Sequence, residues 1–124
     1  MSNTISTSAP GKIILFGELA VVFNRTGISG AVDLRTFVNI KESNKGEIYS
    51  SKYRKLWKYN LNEINNIRKK YDNIILNQQY YKLKNYQISH PIKYLLSKIF
   101  DDIGYKNLKI SIDTKVPIFI PWFS

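Results

Sequence analysis

Cysteine is absent from the 124 residues, so a disulfide framework, a thiolate nucleophile and a cysteine-based metal site are all closed to this chain. Acidic groups are scarce: 9 Asp and Glu stand against 19 Lys and Arg, giving a formal charge of +10. Such a balance can mark a nucleic-acid or anionic-membrane partner. Here the basic residues are scattered among Asn, Ile and Tyr, with no dense run and no RNA-binding signature, so they read as a solvated surface and neither partner is expected. No apolar run approaches the roughly 18 residues of a membrane span. Met1 to Ser8 lacks a basic segment followed by an apolar one, which argues against a secretory signal and for a cytoplasmic protein. The glycosylation pattern Asn24-Arg25-Thr26 therefore carries little weight. There are no internal repeats. The lone histidine, His90, precedes Pro91 and reads as a surface residue at a helix start. A chain of this length supports one domain with a modest core.

Lys12-Ile13-Ile14-Leu15-Phe16 is an apolar run bounded by Gly11 and Gly17, which predicts a short strand buried on both faces. The chain then turns from Gly17 to Gly30, and Ala31 to Lys41 reads as a second strand from its β-branched content. Ser43 to Gly46 is a turn after which Glu47 to Ser51 is expected to return as a hairpin partner. From Lys52 to Ile88 the composition is biased toward Lys, Asn, Tyr and Gln. Leu61, Ile64, Ile67 and Tyr71 allow one helical face there, although the stretch also reads as an insertion or mobile arm.

The clearest periodicity runs from Ser89 to Ile103, where Ile92, Leu95, Leu96, Ile99, Phe100 and Ile103 form an apolar stripe. Ser89 is placed to cap the first turn, Pro91 is tolerated there, and Gly104 suits a left-handed terminus. Leu108, Ile110 and Ile112 alternate with Lys109, Ser111 and Asp113 as in a half-buried strand. Strands, helix and strand make an α+β domain. The last residues, Val116 to Ser124, hold two prolines and several large apolar side chains that need cover, so the domain is expected to be unfinished.

The stretch Ser8-Ala9-Pro10-Gly11-Lys12-Ile13-Ile14-Leu15-Phe16-Gly17-Glu18-Leu19-Ala20-Val21-Val22-Phe23 resembles the first motif of the mevalonate kinases, approximately SAPGK(V/I)ILxGEHAVVxG. The likeness continues into Ala31-Val32-Asp33-Leu34-Arg35-Thr36-Phe37, fades from Val38 to Ile88 and returns weakly over Leu108 to Pro117. It implies the α+β GHMP kinase fold, with a ribosomal-protein-S5-like N-terminal domain of which residues 1–124 are a truncated part. It also implies an ATP-dependent transfer of phosphoryl to the alcohol of mevalonate in isoprenoid biosynthesis, with Mg²⁺. A homodimer is one form open to a full-length protein. Phosphoryl transfer asks a protein mainly for positioning and for cations against the phosphate oxygens. By the resemblance Lys12 is that cation, catalytic and facing the cofactor's phosphates; otherwise it is an ordinary lysine at a strand start.

Glu18 matches the glutamate that helps to organise the substrate site. The family's next residue is His and here it is Leu19, which removes both ring nitrogens and the polar contact they make to the acid substrate. Asn24 replaces a usual glycine, and Asn tolerates left-handed backbone angles.

The family's glycine-rich phosphate loop, approximately PxGxGLGSSA, has only its proline here, Pro117. Ile118 to Phe123 contain no glycine, and the catalytic aspartate and acidic Mg²⁺ ligand have no counterpart, so no metal ligand is assigned and the chain alone is expected to be inactive. A reading shifted by one base through Trp122-Phe123 opens on a glycine codon, in keeping with a disrupted loop. Two other functions compete: a different GHMP kinase such as phosphomevalonate kinase, and a basic S5-like RNA-binding module.

Overall fold

The computed structural model describes residues 3–17, 19–85 and 87–117. Its elements in chain order are β1 (Ile5–Phe16), a 3-10 turn (Ala20–Phe23), β2 (Ile28–Glu42), β3 (Gly46–Ser50), β4 (Lys55–Tyr59), α1 (Leu61–Leu76), a second 3-10 turn (Tyr80–Asn85), α2 (Ser89–Ile103) and β5 (Leu108–Thr114). They form the expected α+β architecture, a five-stranded sheet in the order β1-β2-β5-β3-β4. Both helices pack on one side of it. No described helix is long and apolar enough to cross a membrane.

Each helix starts and stops for a local reason. Asn60 caps α1 by accepting a hydrogen bond from the Glu63 amide at 2.8 Å, and Glu63 lies in the first turn, where a negative charge favours the helix dipole. Past its end Gln78 takes a left-handed φ of 53°. At the end of α2, Gly104 has φ 83° and donates its N–H to the Phe100 carbonyl at 2.8 Å. Its start differs from expectation. Ile88 holds the cap position without a side-chain bond, and Ser89 lies inside the first turn, buried.

The core joins Ile48 of β3, Tyr59 of β4, Ile64 of α1, Leu96 and Phe100 of α2, and Leu108 and Ile110 of β5, with Val38 and Ile40 of β2 packed against it. Ile48 is fully buried, and β3 alternates buried and more open positions as a strand covered on one face should. Tyr59 pins β4 to the start of β5. Its hydroxyl accepts from the Leu108 amide at 2.9 Å and donates to the Lys106 carbonyl at 3.0 Å, and burial pushes its pKa up.

Three expectations are corrected and one open choice is resolved. The apolar run of β1 is not buried: β1 is an outer strand, none of the described core members comes from it, and Leu15 and Phe16 are 57% and 71% exposed. β3 does not return along β2. It pairs antiparallel with β4 and parallel with β5, which lies between β3 and β2. Of the two readings of the biased stretch from Lys52, the helical one holds: α1 buries Ile64, Ile67 and Tyr71. Finally, α2 buries only part of its apolar stripe. Leu95, Ile99 and Ile103 face outward, while Ser89, Lys93 and Ser97 are buried. Part of that buried row meets α1: Lys93 pairs with Glu63, and Arg68 donates to the Ser97 carbonyl at 3.3 Å. The Lys93 ammonium is tolerated inside because a carboxylate meets it.

Candidate active site

The glycine-flanked lysine strand pairs antiparallel with β2, with register shifts between Pro10 and Gly11 and between Ile14 and Phe16. At the first shift Gly11 comes opposite Val32, and a Cβ there would stand 3.0 Å from both the Leu34 carbonyl and Cγ2 of Val116. Lys12 follows, paired with Ala31, and its side chain is exposed. Among the described residues no carboxylate lies within ion-pair distance of it. Strand alternation carries Lys12 and Ile14 to the face opposite the Gly11–Val116 contact. There they line a shallow hollow of about 200 Å³ with Gly27, Ile28 and Ser29.

The turn after β1 is shaped by crossing backbones. Gly17 has φ 82°, and a Cβ on it would lie 2.7 Å from the Cα of Gly27 and from the Thr26 carbonyl oxygen. Only glycine fits both constraints. Glu18, expected at the substrate, lies outside the described residues. Leu19 projects outward, 76% exposed, immediately before the 3-10 turn. Arg25 donates its N–H to the Ala20 carbonyl at 2.9 Å, and Asn24 takes a φ of 60°, the left-handed angle anticipated for it.

The exit of β5 is held from several directions. Thr36 and Thr114 share a hydroxyl hydrogen bond of 2.8 Å, and the Val116 amide donates to Thr114 Oγ1 at 3.2 Å. Lys115 donates its N–H to the Arg35 carbonyl at 2.8 Å, and Lys52 Nζ donates to the Val116 carbonyl at 3.0 Å. Ser51 donates to Asp113 at 2.7 Å, and that bond, with Lys115 second, holds the Asp113 carboxyl below its ordinary pKa. On β2, Arg35 donates through Nε to Ser8 Oγ at 3.0 Å, tying the motif's first residue to the second strand. The stretch expected in place of a phosphate loop, Ile118 to Phe123, lies outside the described residues.

The structure thus brings Gly11 to the end of β5, with Lys12 beside that contact on the other face. Sequence reasoning missed the Arg35–Ser8 tie and the Lys52 brace, since nothing local marks partners so far apart. It also misplaced His90. The imidazole is half-buried, hydrogen bonded through Nδ1 to the Tyr71 hydroxyl at 2.6 Å, and its pKa is lowered, first by burial and then by the Lys70 and Lys93 cations. Chemically, the Lys12 hollow offers one cation that no carboxylate of the described residues pairs with, beside Gly27 and Ser29, which suits an anionic group. Among the described residues no three acidic or histidine side chains gather as a metal site.

The fold has relatives among solved structures. The crystal structure of Methanococcus jannaschii mevalonate kinase superposes with a TM-score of 0.70 at 30% identity, covering 94% of this chain and 34% of that one. Galactokinase from Lactococcus lactis shares the fold at a TM-score of 0.62 and 16% identity, covering 92% of this chain and 27% of that one. The architecture is that of the GHMP kinases. By sequence the chain is 35% identical over 115 residues to the mevalonate kinase of Methanocaldococcus jannaschii, which covers 88% of this chain and 32% of the relative. It is therefore related to the mevalonate kinases and spans about a third of the length of that relative. No protein-family profile matches the chain.

Proposed function

We propose that residues 1–124 are the lysine-bearing part of a mevalonate kinase, an enzyme that moves the γ-phosphoryl of ATP to the primary alcohol of mevalonate in the cytoplasm. The observation that carries this reading is Lys12: an exposed ammonium without a carboxylate partner among the described residues, at a hollow shared with Gly27 and Ser29, next to the glycine that packs on the exit of β5. Sequence likeness to mevalonate kinases over most of the chain supports the choice of substrate.

In this reading Lys12 orients the transferred phosphoryl and stabilises the charge that spreads over its oxygens, a role that needs a cation not already neutralised. By the family motif, Glu18 and Leu19 are assigned to substrate contacts. Leu19 supplies no hydrogen bond, so the acid is held less tightly than by an imidazole. Mg²⁺, when bound with ATP, neutralises phosphate charge. Among the described residues no three acidic or histidine side chains gather around one point, and no Mg²⁺ ligand is assigned here. The 124 residues are an incomplete half-domain in this reading, and alone they give no mevalonate-dependent ADP release.

A hybrid tests the proposal. Residues 3–117 replace the corresponding segment of the M. jannaschii enzyme, and ADP release is followed with mevalonate, phosphomevalonate and galactose. Turnover preferring mevalonate, reduced about a hundredfold or more by Lys12→Met, is expected. A folded hybrid that works equally well with methionine at that position would sink the assignment.

A further inference from the structure

A second cavity, of about 330 Å³, opens between α1, α2 and the turn at 80–85, lined by Tyr71, Ile75, Leu83, His90, Pro91 and Tyr94. It does not include Lys12, Leu19 or the exit of β5. Its volume lies at the lower end of what small-molecule sites enclose. Its walls are almost wholly apolar, with two tyrosine rings set edge to face at a centroid distance of 6.1 Å. Tyr71 and His90 are also edge to face and are joined by their hydrogen bond, which fixes both rings. Tyr94 is held from behind, its hydroxyl donating to Asp72. These walls are pre-organised, so a ligand that enters need not order them.

Most charges around the cavity are paired, Asp72 by Arg68 and Lys98 among them. Lys70 Nζ lies 5.3 Å from the centre of the Tyr71 ring, and among the described residues no carboxylate pairs with it. Lys93, also near His90, is neutralised by Glu63. The surplus is one cation beside an apolar cavity. We propose that this cavity is a binding site for a small amphiphilic monoanion, its apolar body against the rings of Tyr71 and Tyr94 and its carboxylate toward Lys70. Size excludes long-chain lipids, and the apolar lining disfavours sugars and nucleotides, whose polar groups would be left unpaired.

The test titrates the full 124-residue chain with 3-phenylpropionate, its amide and the matching amine, following side-chain and amide NMR resonances. Expected are saturable shifts at Leu83, His90 and Tyr94, with a Kd of about 1 mM or tighter for the acid. The acid should bind about threefold or more tightly than the amide, as one partly screened charge allows, and the amine weakest. Ile75→Trp should fill the cavity and weaken all three about tenfold or more. Exposed Lys70→Gln should bring the acid down to the level of the amide without moving the amide, which keeps the test decisive if the tryptophan variant does not fold. Absence of saturable binding, equal affinity for acid and amide, or undiminished binding by a folded Ile75→Trp would each overturn the proposal.

Discussion

Gly11 and Val116 touch: the hydrogen that stands where another residue would carry a Cβ points at the valine's Cγ2, with 3.0 Å available for a methyl carbon. The contact ties the middle of the lysine-bearing strand to the end of β5, two segments remote in sequence. Any enlargement of Gly11 has to push Val116, which Lys52 and Thr114 hold by hydrogen bonds, or the backbone of Leu34. Gly11→Val is therefore expected to lower stability by about 1 to 3 kcal/mol, the usual cost of overpacking. Urea unfolding measures it, and in the hybrid enzyme the same change should reduce turnover because the β5 exit shifts.

Gly17 offers a sharper case. Alanine there meets two backbone atoms at 2.7 Å and must hold a φ of 82°, so both strain and collision oppose it. Gly17→Ala should cost about 2 to 4 kcal/mol. Gly30→Ala is the control, since a Cβ there has nothing within 4 Å and the residue lacks a positive φ. A change of under about 1 kcal/mol is expected for it, and equal losses at both glycines would contradict the crossing geometry.

Acid stability should report on Asp72. Its carboxylate accepts from the Tyr94 hydroxyl, from Arg68 at 2.9 Å and from Lys98 at 3.3 Å, and these bonds, the tyrosine's first, hold its pKa at about 2. A carboxyl with a depressed folded pKa stabilises the fold above its ordinary pKa near 3.8, and that contribution fades as pH falls toward 2. Asp72→Asn should flatten the acid limb of a thermal-stability profile between those values. The residue is partly exposed, so the effect is modest. An unchanged limb would show that the carboxylate gains nothing from its three partners.

Leu19 is the position to restore. In the hybrid enzyme Leu19→His should lower the KM for mevalonate about tenfold, the scale of one regained polar contact, with a smaller effect on the rate at saturation. Steady-state kinetics at several mevalonate concentrations separate the two. The exposed setting of Leu19 means that the substitution disturbs no core packing.

The sequence made the elements more legible than their surroundings. Strict alternation at Leu108, Ile110 and Ile112 identified both β5 and its core-facing side, because period two fixes a face once one side is covered. Periodicity also marked α1 and α2, but it could not say how much of the stripe on α2 finds a partner. Lys93 is buried because Glu63 waits for it across the helix pair, a fact stored in another element 30 residues away. The run at Lys12 to Phe16 gave the strand and misled on burial, since an apolar edge strand and an apolar central strand have the same composition. At the candidate site the glycines gave the turn, while the close crossing of Gly17 with Thr26 and Gly27 emerges only from the fold. The braces from Arg35 and Lys52 span 27 and 64 residues and have no local signature, and the His90–Tyr71 pairing escaped notice for the same reason.

The order of strands has a consequence for how the chain is made. Among the described residues β1 pairs only with β2 on one side of the sheet and β3 with β4 on the other, and the two hairpins are joined through β5, which slots between them. A nascent polypeptide that has not yet released residues 108–114 from the ribosome carries two open strand edges facing an empty slot, and each is a template for pairing with a neighbouring chain. Emergence of β5 fills that slot and pairs both inner edges at once, so the hazard from those two edges ends in a single step.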